Sequence, residues 1–503
     1  MAAGAATVFG FAPFCLPGLP VVTLALLIGL WQGAAGARAA FRLGFGFGLG
    51  LFGAGASWVY VALNTFGGMP ALLAGIGTAI GIAYLALFPA LAGALATRWT
   101  APWSLPRALA AAALWTLAEW ARGTGYAGFP WLLLGNAQLP THGGTASWLA
   151  GYAPMGGVWL ATLAAALCAA ALALAVDAAA AAARGRAAAL LLGALAVAGG
   201  GALCAEIEWT SPAGAPVAVS LVQGNVAQDL KFDSDLREDT FRLYAELVDA
   251  SRGRLVVLPE SAYPVFASEV PDHVLLHLAG VAAARDGEVL AGMFTADPPL
   301  PGRDDIRYYN SVVSVGAGGA QLYRKRHLVP FGESIPLEPV VGWFIRSVLA
   351  IPLADQTSGE PGQPPFAAAG ERVAVDICYE DAFGNELRGQ ANDATLLVNV
   401  TNDAWYGRSL AAEPHNQIGA MRALESGRPM LRATNTGITS AIDHRGREIA
   451  RLPWFTRGIL EVEVAGRQGA TPYGRFGDAL PLGVAAALLA VAWIVRHRGG
   501  GCR

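Results

Sequence analysis

Val373-Ala374-Val375-Asp376-Ile377-Cys378-Tyr379-Glu380-Asp381 reads as a short apolar run that ends abruptly in a thiol, a phenol and two carboxylates. Two further runs end in the same way. Residues 255–258 pass into Pro259-Glu260-Ser261, and 396–400 pass into Thr401-Asn402-Asp403. Continuous apolar runs of this length suit strands buried on both faces. The same texture predicts strands over 217–223, 289–293, 311–315, 373–377, 395–400 and 459–464, with helices over 237–251, 273–285 and 416–426. Such alternation argues for a layered α/β fold. Where many strands run parallel, ligands bind beyond their carboxyl ends. The three polar termini therefore point to one converging site, although each alone reads equally well as a helix cap or a turn.

Outside this region the chain changes character. Of 503 residues 54% are hydrophobic and only 14% charged, against roughly a quarter charged in a soluble protein. Glu119 and Asp177 are the only acidic residues outside Glu206–Asp478. A spanning helix needs ~20 mostly apolar residues. Residues 1–37, 43–97, 124–176 and 187–205 lack charged side chains altogether. Spans are expected near 1–18, 19–35, 43–63, 70–96, 103–122, 146–175, 187–205 and 479–495, about eight in all, the first pair broken by Pro13, Pro17 and Pro20. A cleaved signal peptide fits poorly, because no basic segment precedes the first apolar run. The expected organisation is a transmembrane domain over 1–205, a water-facing domain over 206–476, and a last span with its tail over 477–503.

Arginines set the orientation. Arg38, Arg42, Arg98, Arg107, Arg184, Arg186, Arg496, Arg498 and Arg503 fall on one side of these spans and only Arg122 on the other. Both termini are thus expected in the cytoplasm, with 206–476 on the opposite, periplasmic face of a bacterial inner membrane. A net charge of −3 gives no nucleic-acid surface.

Cys15, Cys168, Cys204, Cys378 and Cys502 form neither a CxxC pair nor a disulfide framework. Cys378 differs from the others in leaving its strand beside polar residues. A thiol is nucleophilic as thiolate, and Glu260, directed out of the sheet by Pro259, is a base that could take its proton. Lys325 lies in Tyr323-Arg324-Lys325-Arg326-His327, and the chain has just two lysines, Lys231 and Lys325, among many arginines. A compact ammonium suits the oxyanion of a tetrahedral intermediate. The plain alternatives are a buried structural cysteine, a surface turn glutamate and a solvated basic edge. Cysteine–histidine chemistry is the competing arrangement, with His327 and His415 available. No metal-binding, Walker or dinucleotide motif appears, so neither metal nor cofactor is expected.

Taken together, the motifs resemble the nitrilase, or carbon-nitrogen hydrolase, superfamily and, in this membrane setting, its apolipoprotein N-acyltransferase family. The resemblance is carried by Gly10-Phe11-Ala12-Pro13-Phe14, by Trp115 with Glu119-Trp120-Ala121-Arg122-Gly123, and by Gly128-Phe129-Pro130-Trp131. It continues through Gln223-Gly224-Asn225-Val226, Lys231-Phe232, Leu258-Pro259-Glu260-Ser261 and Tyr323 to Glu333. Ile377-Cys378-Tyr379-Glu380 and Asn399 to Gly407 complete it. It implies an αββα sandwich and a Glu260–Lys325–Cys378 triad, supported by Glu333, Tyr379 and Glu380. Substrate contacts are expected at Phe232, Phe331, Trp343, Asn402 and Trp405. Phe232 departs from the family's tryptophan at that position, which bears on substrate fit.

The resemblance further implies a ping-pong reaction. Cys378 would take an acyl chain from a phospholipid as a thioester and pass it to the amine of a diacylglyceryl-cysteine apolipoprotein. The apolar segment 336–353, with Trp343 and Phe344, suits a lipid-facing loop or short helix, or else a helix packed in the core. Two other readings use the same residues differently: a membrane-tethered nitrilase-type amidase, and a transporter or scaffold carrying an inactive domain, for which Glu119 is the sole intramembrane candidate.

Overall fold

The computed structural model describes residues 1–124, 128–141, 143–228, 231, 235, 237–298, 306–335 and 355–499. Two compact units divide the chain: one comprises Met1–Tyr60, Leu72–Trp209 and Thr471–Arg503, the other Val61–Ala71 and Thr210–Ala470.

The first unit is helical. Among the described residues, Ala71–Arg98, Trp148–Ala180, Arg184–Ala205 and Ala479–Arg496 are long and apolar enough to cross a membrane. A fifth is reached if Ala37–Gly55 and Val59–Phe66, bent by 57°, count as one span. Two expected spans fall short for definite reasons. The helix Gly18–Gln32 has 15 residues, and Leu105–Gly123 contains Arg107, Glu119 and Arg122. A third, over residues 1–18, holds only the short helix Ala2–Thr7 and the turn Val8–Gly10 before Gly18–Gln32 begins.

All three charges of Leu105–Gly123 are buried and paired, as apolar surroundings require. Arg107 donates to the carbonyls of Gln32 (3.0 Å) and Trp31 (3.3 Å), at the carboxyl end of Gly18–Gln32. Glu119 accepts from Trp115 Nε1, the Leu134 amide and Thr162 Oγ1 at 3.0–3.1 Å. Arg122 donates to the carbonyls of Phe129 (2.6 Å) and Trp131 (2.8 Å). Small residues let helices meet closely: a Cβ on Gly44 would lie 2.4 Å from Pro89 O.

The second unit contains two large sheets. In the first, β2 (Val217–Gln223), β3 (Leu255–Val257) and β5 (Glu288–Ala296) run parallel, and β4 (Tyr263–Phe266) also pairs with β5. β6 (Tyr308–Gly316) and β7 (Gln321–Arg324) continue antiparallel on one side, and β14 (Gly458–Val464) closes the other. In the second sheet, β9 (Glu371–Ile377), β10 (Leu396–Thr401) and β11 (Met430–Thr434) are parallel. They are flanked by antiparallel β8 (Phe366–Ala368), β12 (Ser440–Ile442) and β13 (Glu448–Arg451). A short pair, β1 (Thr210–Pro212) with β15 (Arg467–Gly469), joins the two ends of the unit.

The layering follows from residue alternation. Val222, Val256, Leu258, Val289, Ala291 and Met293 form one cluster with Phe241, Tyr244 and Val248 of the helix Arg237–Ala250 and with Val274 and Leu278 of Asp272–Ala284. The opposite-facing Leu221, Leu255, Val257 and Leu290 are equally buried but lie outside that cluster. They face the second sheet, because β2 packs on β11 and β6 on β8 and β9. Gln223 stitches the layers, accepting from Thr434 Oγ1 at 3.4 Å. The helices Gly384–Asp393 and Ala412–Ser426 pack on the second sheet. The order helix–sheet–sheet–helix matches the expected sandwich.

All the strands and helices expected from the sequence within this unit are present. The reading missed Gly384–Asp393, the group β11 to β13 and the short strands β1, β4, β7, β8 and β15. β11 is only five residues long with Arg432 at its centre, so its apolar signal is interrupted.

Replacing Leu278, fully buried between helix and sheet, by alanine should destabilise the protein by about 2–5 kcal/mol. Leu276→Ala, on the exposed side of the same helix, should change stability by less than about 0.5 kcal/mol. Denaturant unfolding in detergent measures both.

Candidate active site

The parallel strands β3, β9 and β10 end where the polar residues begin. Glu260 follows β3 by three residues. Its turn is pressed against Gly292 of β5, where a Cβ would lie 2.5 Å from Pro259 O and 2.8 Å from Glu260 Cα. Only glycine permits that approach. Cys378 follows β9 directly and opens the tight turn Cys378–Ala382. Its φ of 56° lies in the left-handed region, which costs a non-glycine residue energy and marks a constrained position. Asn399 Nδ2 holds the Cys378 carbonyl at 3.0 Å. The parallel register sets Ile377 opposite Val400, so Thr401 comes next to Cys378 and its side chain hydrogen-bonds the thiol.

Lys325 follows β7, and its amide donates to Asn310 O on β6 at 2.8 Å. Its buried Nζ lies 2.7 Å from Glu333 Oε1 and 3.5 Å from Glu260 Oε1. Asn310 Nδ2 bridges the same two carboxylates, at 2.6 Å from Glu260 Oε1 and 3.4 Å from Glu333 Oε1. Glu333 Oε2 accepts from the Val329 amide at 2.8 Å. Burial lowers the Lys325 pKa, but Glu333 and Glu260 outweigh it and hold it above the ordinary lysine value. It is an ammonium at neutral pH.

The Cys378 thiol behaves oppositely. Burial, followed by the negative field of Glu260, pushes its pKa well above the usual thiol value, while Lys325 and the Thr401 bond pull it down. At rest it is a neutral thiol, 7% exposed. A reaction at this sulfur therefore requires a base at the moment of attack, and Glu260 is placed in its field.

Glu380 is the second hub. It accepts from the amides of Ile377 (2.7 Å), Arg326 (2.7 Å) and His327 (3.1 Å), and from Tyr323 OH at 3.0 Å. Its carboxyl group thus ties the cysteine turn to the segment bearing Lys325. Burial raises its pKa, opposed by these backbone donors and Lys325. Tyr379 is buried with its ring edge-on to Phe383, 5.2 Å between centroids.

The remaining expected residues are more dispersed. Asn402 donates to Gln228 Oε1 at 2.7 Å and accepts from Asn435 Nδ2 at 3.0 Å. Trp405 packs edge-on against Phe66, 6.2 Å between centroids. Phe331 is half exposed, at φ 64°. Phe232, Trp343 and the rest of the apolar segment 336–353 lie outside the described residues.

Both histidines are committed elsewhere. His327 stacks on Phe383, 3.5 Å between centroids, and lies 3.1 Å from Glu386 Oε1. His415 is enclosed by Asp403 Oδ1 at 2.8 Å and Asp381 Oδ1 at 3.1 Å, and Arg432 also pairs with Asp381. Burial lowers the His415 pKa, but the two aspartates outweigh it and raise it to about 9. A charged His415 donates from both nitrogens and clamps the turn after β9 to the turn after β10. Sequence reading missed this clamp and Asn310, although His415, Asp381 and Thr401-Asn402-Asp403 were each in view singly. The visible signal for the clamp was charge inside an apolar run, at Arg432.

Comparison with known proteins accords with this geometry. The family model described as apolipoprotein N-acyltransferase N-terminal domain matches residues 3–171, and that described as carbon-nitrogen hydrolase matches 218–473. The chain is 47% identical to the apolipoprotein N-acyltransferase of Nitrosomonas europaea, over 99% of this chain and 97% of that one. It is 42% identical to that of Chromobacterium violaceum (99% and 93%) and 41% identical to that of Methylococcus capsulatus (97% and 94%). A carbon-nitrogen hydrolase structure from Helicobacter pylori G27 is a looser likeness, with 16% identity and a TM-score of 0.37 over 55% of this chain and 93% of that one. Identity of this extent along the full length leaves one conclusion: the chain belongs to the apolipoprotein N-acyltransferase family, and its second unit to the carbon-nitrogen hydrolases.

Proposed function

We propose that the chain transfers a phospholipid acyl chain to the amine of an apolipoprotein's N-terminal diacylglyceryl-cysteine, through a thioester on Cys378. The observation that carries this is a buried cysteine held in a left-handed turn at a strand end, together with a buried lysine ammonium 3.5 Å from the Glu260 carboxylate. Glu260 accepts the thiol proton as Sγ attacks the ester carbonyl, and the Lys325 ammonium stabilises the oxyanion. Collapse breaks the ester C–O bond, and the lysophospholipid oxygen leaves with the proton from Glu260. In the second half the acceptor amine attacks the thioester and yields its proton to Glu260, which returns it to the departing sulfur. Each bond formed replaces one broken, so no nucleotide is needed. Glu333 and Asn310 orient Lys325 and Glu260; Tyr379 and Glu380 support the nucleophile's turn.

The finer assignments belong to the same proposal. They are about eight membrane passages, domains over 1–205, 206–476 and 477–503, cytoplasmic termini, and a periplasmic catalytic domain in the bacterial inner membrane. The arginine asymmetry supports the orientation. Phe232, Phe331, Asn402 and Trp405 are assigned to substrate contact, and Trp343 with its apolar neighbours to acyl-chain entry, on sequence grounds.

Incubating the protein with phosphatidylethanolamine should add one acyl mass, seen by intact-mass analysis and lost on hydroxylamine treatment. Cys378→Ala should show none; an adduct that persists in that variant would overturn the mechanism. Glu260→Gln should slow thioester formation by about 10²- to 10⁴-fold, the usual contribution of a positioned base, and Lys325→Met should cost ~3 kcal/mol of transition-state stabilisation. Exchanging Trp343 and Phe344 for serine should slow thioester formation from lipid, and an unchanged rate would remove the entry role.

A further inference from the structure

The chain's two lysines are both buried, and both reach Glu260. Lys325 approaches the carboxylate. Lys231 Nζ donates to the Glu260 backbone carbonyl at 2.9 Å, and it is 3% exposed. Arginine outnumbers lysine elsewhere by a wide margin, so two lysines kept at one carboxylate stand out. The charge count gives Lys231 a purpose. Lys325 is shared between Glu260 and Glu333, two carboxylates to one ammonium, and a thiolate at Cys378 would add a third negative charge.

We propose that Lys231 is a second positive charge of the reaction centre, a positioning residue that holds the Glu260 turn and stabilises negative charge on the Cys378 sulfur. The inference rests on the thioester reading above. Burial lowers the Lys231 pKa to about 8, while Glu260, and Cys378 once it is a thiolate, oppose that lowering. Glu260, Lys325, Asp403 and Tyr406 are the other titratable groups coupled electrostatically to the sulfur, and Asp403 is bound to His415. The sign follows. Below pH 8 Lys231 is an ammonium and favours the thiolate; as the pH rises through about 8 it discharges and that help is lost.

The test uses two readouts on the full-length protein in detergent, with Lys231→Met and Lys231→Arg. The first is the rate of Cys378 alkylation by iodoacetamide between pH 6 and 10, which needs no lipid. An opposite charge near a thiol shifts its pKa by about 1–3 units, or 10- to 1,000-fold in thiolate. Wild type should therefore exceed Lys231→Met by about tenfold or more near pH 7, with the ratio falling towards one above pH ~9 as the ammonium discharges. Lys231→Arg keeps its charge, so the inflection near pH 8 should vanish from its profile. If Lys231→Met does not fold, the wild-type and Lys231→Arg profiles still decide the matter. A wild-type to Lys231→Met ratio independent of pH, or a wild-type profile with no inflection that Lys231→Arg removes, overturns the proposal, since a purely structural lysine gives that result. The second readout is thioester formation from phosphatidylethanolamine, which should slow in Lys231→Met in parallel with alkylation. Absence of any thioester in wild type would instead sink the transfer reading and leave the alkylation result standing.

Discussion

A buried cluster of ions, Lys325 between Glu260 and Glu333, is the constraint to which the second unit is built. Removing such charges from water costs several kcal/mol per ion, and their attraction repays this only when the remaining donors and acceptors are satisfied. Here the satisfaction is shared among separate elements. Asn310 comes from β6, the Val329 amide from the segment after β7, and the Glu260 turn from the end of β3. Each must arrive in register for the cluster to be tolerated. The sheet is thus the device that makes a dry ammonium–carboxylate site possible.

The sulfur depends on this cluster from across the sandwich. Its own sheet places it in a left-handed turn, with the carbonyl pinned by Asn399 and the turn gripped by Glu380. Glu380 also binds the backbone around Lys325, so one carboxylate couples the position of the nucleophile to that of the cation. Behind the turn, His415 and Arg432 neutralise Asp381. The strain at Cys378 is held by several bonds and does not relax into an ordinary strand end.

The helical unit obeys the same rule in a drier setting. Arg107, Glu119 and Arg122 are engaged by carbonyls, an amide, an indole and a hydroxyl. Because these partners lie within that unit, the charges act as fasteners between helices and loops. This answers the thought that Glu119 marks a transport path, since its oxygens are occupied by structural donors.

By itself the sequence determined the two-part organisation and the layered α/β fold, because apolar runs report burial through their length and period. It also brought out Glu260, Lys325 and Cys378 as a group, because polar residues at the ends of apolar runs stand out and because the family motifs flank them. Helices such as Leu105–Gly123 were harder to judge, since their charges are hidden by partners far along the chain. Only the tertiary structure decided that Asn310 bridges two carboxylates, that His415 is bound between two aspartates, and that both lysines meet at Glu260. Those contacts join residues 29 or more positions apart at Glu260, Lys325 being the most distant, and their directions are set by strand order and register. Local pattern carries burial; it carries no information on which distant strand end will face which.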